Sequence, residues 1–248
     1  MFLENLVFDA AEPQRLGRFW ERALGTTTLT DGPDGFETRL ALEGGPTLDL
    51  CFQPVEGPAA RSPRLHLDLH GQGDQSGTVQ RLLGLGASHL DIGQGEVPWV
   101  VLADPEGHAF CVMEEREAYR DTGPIAAIPI LGTEPTRDAA FWAELSGWRE
   151  YAGAAPVSLR HPSGRGPILE FLRAKQDIQH WATSEPKQAK NQLHLDLRLE
   201  PGDDAAAVFE RVEALGASPL THDWGDLPWR SFTDPAGNEF CILPVPAS

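Results

Sequence analysis

A histidine and an aspartate two residues apart, set among leucines, are the groups in this chain best placed to meet a ligand. Leu65-His66-Leu67-Asp68-Leu69 returns as Leu193-His194-Leu195-Asp196-Leu197. An imidazole beside a carboxylate offers a ligand contact, a metal ligand, or a carboxylate that orients the ring. The plainer alternative is a half-solvated strand whose polar face meets water, with the aspartate bonded to a turn amide. Each copy is followed by the same series. Leu85-Gly86-Ala87-Ser88, Pro98-Trp99, Asp104-Pro105-Glu106-Gly107 and Phe110-Cys111 in the first match Leu215-Gly216-Ala217-Ser218, Pro228-Trp229, Asp234-Pro235-Ala236-Gly237 and Phe240-Cys241 in the second. Cys111 and Cys241 add a thiol to each set, which reads either as a ligand or as a small packed hydrophobe. Trp99 and Trp229 read as rim aromatics or as core.

Self-similarity of this kind marks one structural unit written more than once. Strict alternation in Leu-His-Leu-Asp-Leu puts the leucines on one face of a strand and His and Asp on the other. The predicted elements around it also repeat. Residues 3–8 read as a strand. A helix opens at Glu12-Pro13 and carries Leu16, Phe19, Trp20, Ala23 and Leu24 on one stripe, and Gly25 ends it. Strands near 27–30, 36–42 and 47–52 complete a β-α-β-β-β unit. A Pro/Gly-bearing linker at 54–63 leads to the His66 strand, a helix carrying Val79, Leu82 and Leu83, and strands near 88–92, 99–103 and 109–113. Asp104-Pro105-Glu106-Gly107 has the preferences of a type I turn. The charged stretch 114–124 reads as a link between halves. The second half replays the order: strand 128–131, helix 138–145, strands near 151, 157–161 and 168–172, and a polar loop at 175–191. The His194 strand, a helix with Val208, Phe209, Val212 and Leu215, and three last strands follow. Trp20 and Trp142, on helix stripes, read as core. Gly71-Gln72-Gly73 sits where a dinucleotide-binding loop would, but Gly77 falls one residue late and the second copy lacks the pattern, so these glycines read as a turn.

The 248 residues allow two ordinary domains, and the repeat favours two. A net charge of −17 argues against nucleic acid or an anionic membrane as partner, since both demand a basic face. Three cysteines without Cys-x-x-Cys fit a reducing cytoplasm. The first residues lack a signal-peptide layout, and no apolar run approaches the roughly 20 residues of a membrane span. The expectation is a cytoplasmic protein. His70, His89, His108, His161, His180 and His222 lack paired spacing, and no Gly-x-Ser-x-Gly, Walker loop or His-Glu-x-x-His occurs.

Paired β-α-β-β-β units, a His on a strand that opens a unit, and Asp-Pro-x-Gly before the last strand resemble the vicinal oxygen chelate superfamily. That group includes glyoxalase I, extradiol dioxygenases and bleomycin-resistance proteins. The resemblance covers the whole chain and implies an α+β fold: four βαβββ units paired into two tandem cup domains, with a linker at 116–125 between 1–115 and 126–248. It also implies a metal in each cup, held by His or Gln and Glu on the first and last strands of each unit. Carried over position by position, those places read Asn5, Asp49, His66 and Cys111 in the first half, and Ala127, Glu170, His194 and Cys241 in the second. Each half keeps an acid, a His and a Cys, and neither keeps the full set. Ala127 cannot bind metal and Asn5 is a weak neutral ligand. An acid, an imidazole and a thiolate suit zinc with one open position.

The expected function is therefore a glyoxalase-like binder of a small molecule, or an enzyme of unassigned substrate, without the usual metal. Its contacts are drawn from Asn5, Asp49, His66, Asp68, Trp99, Cys111, Glu170, His194, Asp196, Trp229 and Cys241. The alternative is a metal-dependent lyase or dioxygenase using Asp49, His66 and Cys111, and Glu170, His194 and Cys241. A third reading makes one cup structural and the chain an interaction module. Each half is expected to form its own cup, although the sequence does not decide whether units pair within a half or across halves.

Overall fold

The computed structural model describes residues 1–55, 64–153, 155–173, 190–221 and 227–246. The linker expected at 54–63 and the loop at 175–191 fall almost wholly outside these residues, as do His180 and His222. Unit 1 runs β1 (Phe2–Ala10), α1 (Pro13–Leu24), β2 (Thr27–Gly32), β3 (Gly35–Ala41) and β4 (Thr47–Pro54). Unit 2 is β5 (Asp68–His70), α2 (Gln75–Leu85), β6 (Ser88–His89), β7 (Val100–Ala103) and β8 (Ala109–Met113). A short 3-10 turn, Glu117–Tyr119, precedes unit 3: β9 (Ile125–Gly132), α3 (Pro135–Ser146), β10 (Arg149–Glu150), β11 (Val157–Arg160) and β12 (Ile168–Arg173). Unit 4 is β13 (Leu193–Arg198), α4 (Ala205–Ala214), β14 (Ser218–Leu220), β15 (Arg230–Thr233) and β16 (Glu239–Leu243). Four βαβββ units thus stand as expected, with the strand at 88–92 cut to two residues. Among the described residues no helix is long and apolar enough to cross a membrane.

The units combine into two eight-stranded sheets, and the pairing crosses the halves. One sheet has the order β14-β15-β16-β13-β1-β4-β3-β2, the other β10-β11-β12-β9-β5-β8-β7-β6. Unit 1 therefore shares a sheet with unit 4, and unit 2 with unit 3. The expectation of one cup per half is corrected: β1 meets β13 and β5 meets β9, both antiparallel. Both sheets are mixed, since β1 runs parallel to β4 and β9 to β12 while the outer pairs are antiparallel.

Alternation divides both stretches as predicted. The first copy is strand only from Asp68, with Leu65 held by an isolated bridge to Ile130 and His66 and Leu67 outside any strand, while the second is strand throughout. Leu65, Leu67 and Leu69, with Leu193, Leu195 and Leu197, join one continuous core that also holds Leu16, Trp20, Leu82 and Trp142. The His and Asp side chains take the opposite, concave face. One device repeats in both sheets: the register slips between Leu3 and Asn5 at the β1–β13 seam, and between Asp68 and Leu69 at the β5–β9 seam. A bulge of this kind puts two consecutive residues on one face. In β1 these are Glu4 and Asn5, since Leu3 and Leu6 both lie in the core. In β9 they are Ala126 and Ala127, which lie together on the concave side while Ile125 and Ile128 face the core.

The Asp-Pro-x-Gly turns prove to be fasteners. Asp104 Oδ2 accepts from the Trp20 indole at 3.0 Å, and Oδ1 accepts from the amides of Glu106 and His108. Asp234 repeats this with the Trp142 indole at 3.1 Å and the amides of Ala236 and Asn238. A helix of one unit is pinned to a hairpin of the next, so each half is tied within itself while the sheets tie half to half. Gly107 and Gly237, at φ 91° and 86°, close these turns where a side chain would strain the backbone. The Glu106 carboxylate also accepts from the amides of Ala11 and Glu12, just ahead of α1.

The two turns differ at one position, and that difference predicts a pH effect. His108 Nδ1 lies 2.9 Å from Asp104 Oδ2, where the second half places Asn238. Burial alone would lower the His108 pKa, but the Asp104 carboxylate outweighs it and leaves the value raised above 6.5. The folded value exceeds the unfolded one, so this pair's stabilisation is complete below pH 6.5 and fades as pH rises through the folded value. His108→Asn is expected to remove that slope while preserving the turn. Urea unfolding between pH 5 and 9 checks this, and an unchanged slope in the variant would refute it.

Candidate binding cups

Crossing of the halves regroups the candidate residues. The concave face of the unit 1/unit 4 sheet carries Asn5 on β1, Asp49 on β4, His194 and Asp196 on β13, Cys241 on β16, and Trp229 just before β15. The unit 2/unit 3 sheet carries His66 and Asp68, Cys111 on β8, Glu170 on β12, Ala127 on β9, and Trp99. Neither acid/His/Cys set chosen by halves comes together, because Asp49 shares a cup with His194 and Cys241, and Glu170 with His66 and Cys111. What does converge is His, its own strand's Asp, and Cys. In each of His66-Asp68-Cys111 and His194-Asp196-Cys241, one donor atom per residue lies within 4.8 Å of the others. The ring-to-carboxylate distances are 3.3 Å for His66 Nε2–Asp68 Oδ1 and 3.5 Å for His194 Nε2–Asp196 Oδ1.

The 1/4 cup is hollow. It holds a cavity of about 790 Å³ whose wall includes Asn5, Val7, Glu37, Cys51, His194, Asp196, Trp229, Ser231 and Cys241. Asp49 is already engaged, because the Arg39 guanidinium grips it through two bonds of 2.8 and 2.7 Å. On the neighbouring strand Arg198 pairs with Glu4 through its Nε and donates from the guanidinium to the Pro244 carbonyl at 2.8 Å. Burial pushes the Asp196 carboxyl up to about 7 against hydrogen bonds from Asn5 and Cys241. Burial, then the charge of Asp196, pushes the Cys241 thiol up to about 12, and its sulfur sits 3.4 Å from Ser231 Oγ. Cys51 donates to Glu37 at 3.4 Å.

The 2/3 cup is full. Tyr119, from the 3-10 turn between the halves, enters the concave face and packs with Val101, Cys111, Met113, Ala126, Ala127, Leu131 and Ile168 in one buried cluster. The ring is 1% exposed. The two alanines stand where the other cup has Glu4 and Asn5, and their lack of bulk leaves room for the phenol. Burial, then the carboxylates of Glu170 and Asp68, push the phenol pKa far upward. Arg116 donates to the Tyr119 hydroxyl at 3.3 Å and lies over the Tyr119 and Trp99 rings, with its carbon 5.4 and 6.0 Å from the centroids. The Tyr151 hydroxyl donates to the Ala118 carbonyl at 3.1 Å, fastening the turn from the other side. Trp99 thus packs on a plug, whereas its counterpart Trp229 lines open space.

Four residues that shape the cups escape a reading of motifs. Cys51 follows Asp49 by two on one strand, and Glu37 and Arg39 alternate on β3, so strand alternation alone would have placed them on the cup face. Tyr119 carries a weaker signal: a lone aromatic in a charged linker has to find cover somewhere.

The sequence model of the glyoxalase-like domain matches residues 5–113 and again 130–243. No curated protein matches the chain. Glyoxalase I from Zea mays superposes with a TM-score of 0.63 at 15% identity, over 98% of this chain and 92% of that one. A putative dioxygenase from Bacillus subtilis superposes with a TM-score of 0.60 at 15% identity, over 100% of this chain and 86% of that one. At such identity the likeness extends to the fold alone.

Proposed function

The chain belongs to the glyoxalase-like family, whose sequence model spans both of its halves, and on that premise we propose that it binds a small organic molecule, without a metal, in the 1/4 cup. The contrast between the cups carries this reading: one holds about 790 Å³ of space, and the other is closed by Tyr119. A cavity of that size, part apolar and part polar, is in the usual range for a drug-sized ligand. His194, Asp196 and Asn5 supply polar contacts, and Trp229, Val7 and Leu220 supply apolar cover. The 2/3 cup serves as a strut in this reading, with His66, Asp68, Glu170 and Cys111 sealed under the phenol.

Blocking the cavity tests the proposal. Ser231→Phe is expected to abolish the thermal shift given by binding compounds from a small-molecule set, with the variant still folded. Retention of every hit would sink the reading.

A second reading, a metal centre, draws on the convergence of His194, Asp196 and Cys241. The donor types suit zinc, although the thiol must shed its proton to bind. A metal held there would act as a Lewis acid toward a bound oxygen. Against it, Asp49 is spent on Arg39, and the first strand of this cup offers only the weak neutral ligand Asn5. Elemental analysis decides: about one zinc per chain, lost in Cys241→Ser, would put the metal reading first.

A further inference from the structure

Strand register lines up the residues of the 1/4 cup in rows that cross the sheet. One row runs His194 on β13, Val7 on β1, Cys51 on β4, Glu37 on β3 and Thr30 on β2, each opposite the next in the ladder. The row beside it carries Ser231, Cys241, Asp196 and Asn5. All of these belong to the cavity wall, so the cavity runs across the strands.

Polar groups gather at its two ends. At one end Ser231 Oγ lies 3.4 Å from Cys241 Sγ, and His194 Nε2 lies 3.5 Å from Asp196 Oδ1. Asn5, bonded to Asp196, belongs to the same end. At the other end the Glu37 carboxylate accepts from Cys51 at 3.4 Å and from the Thr30 hydroxyl at 3.5 Å. On the floor between them lies Val7. His194 and Asp196 are buried, whereas Ser231 and Glu37 are half-buried and open toward the space. A carboxylate has about four acceptor positions, so the two bonds to Glu37 leave room for a donor from a ligand. The Ser231 hydroxyl can both donate and accept. Their strands, β15 and β3, stand five spacings apart, about 24 Å along the sheet, which the curvature of the cup and the reach of both side chains shorten.

From this layout, and resting on the reading of the 1/4 cup as a binding site, we infer that its ligand class is an elongated, two-headed molecule. One head donates to Glu37, the other is a hydroxyl or amide at Ser231, and an apolar body lies across the strands over Val7 and beside Trp229. A one-headed amphiphile would strip water from one end of the cavity and give nothing back. A compact polar molecule would reach one end and leave the apolar floor uncovered.

Calorimetry on the whole protein tests this with 1,4-butanediol, 1,8-octanediol and 1,12-dodecanediol, each against the mono-alcohol of the same chain length. That pairing cancels the gain from chain length alone. At eight or twelve carbons the diol is expected to bind about five-fold more tightly than its mono-alcohol, as one added hydrogen bond allows, and at four carbons no more tightly. Ser231→Ala and Glu37→Ala should each bring the favoured diol down to its mono-alcohol. The mono-alcohol, which can use the end that remains, should change little in either variant. The chain-length comparison needs no variant and stands should one fail to fold. A mono-alcohol as tight as its diol at both longer lengths, or the same preference for the diol at four carbons, would overturn the two-headed class and leave the cup standing. Binding of none of the probes would overturn the class, and together with no hit in the wider compound set it would overturn the cup as well.

Discussion

Expressed by itself, the stretch 64–173 is expected to fold cooperatively, while 1–115 and 116–248, each a complete repeat in sequence, are expected not to. The sheets dictate this outcome. Units 2 and 3 are contiguous in the chain and contain all eight strands of one sheet, with α2, α3 and the Tyr119 plug. A half-chain contains four strands of each sheet, with β1 and β5 left as open apolar edges. Their missing partners are β13 and β9, which supply six paired positions along β1 and two along β5. The isolated 64–173 piece should melt below the whole protein, because its core loses Phe8 and the Trp20–Phe110 ring contact at 5.1 Å. Near-UV circular dichroism and urea titration distinguish the cases, and mixing the two half-chains should restore the transition. A monomeric, cooperatively unfolding 1–115 would contradict the crossed pairing.

Tyr119→Ala is expected to destabilise the protein by about 3–5 kcal/mol, the range for removing a large buried aromatic. The loss has two parts. The ring's contacts with Ala126, Ala127, Met113 and Ile168 vanish into a cavity that the alanines are too small to close. Arg116 also loses its hydroxyl acceptor and the nearer of the two rings beneath it, leaving it to Glu114 and Trp99. Because the void has the shape and polarity of a phenol, p-cresol should recover part of the stability of Tyr119→Ala and none in the parent protein. Urea midpoints with and without millimolar p-cresol measure this. A loss under about 1 kcal/mol would mean that the ring is not a strut.

Much of this molecule could be read before its structure. The doubled Leu-His-Leu-Asp-Leu stretches expose their burial through alternation alone, and Asp-Pro-x-Gly announces its turn. Helix stripes with Phe19-Trp20 and Phe141-Trp142 mark core positions, because an apolar period of 3.6 has no other use in a soluble helix. Crossed pairing was not legible for a physical reason. The β1–β13 and β5–β9 seams join strands with the same alternation, so a within-half seam would satisfy the same pattern. The bulge at Glu4-Asn5 was equally hidden, since no glycine or proline marks it. Asp49 showed itself as an acid on a cup strand, but whether it waits for a ligand or holds Arg39 depends on a neighbour ten residues away across a hairpin. Tyr119 lies outside every repeated motif, and its role exists only because the second half carries alanines at 126 and 127.

Nesting of one sheet inside the other also sets a timetable for synthesis. At roughly 5–20 residues per second, chain growth delivers β9 about 55 residues after β5, roughly three to eleven seconds later. The β1 strand has to wait for β13 at Leu193–Arg198, about 190 residues downstream and roughly ten to forty seconds later. During that interval the inner cup can close around Tyr119 while β1, already able to pair with β4, keeps its β13 edge open. The last seam to close is therefore an edge of β1, and a chaperone that recognises an unpaired strand edge would find its target there.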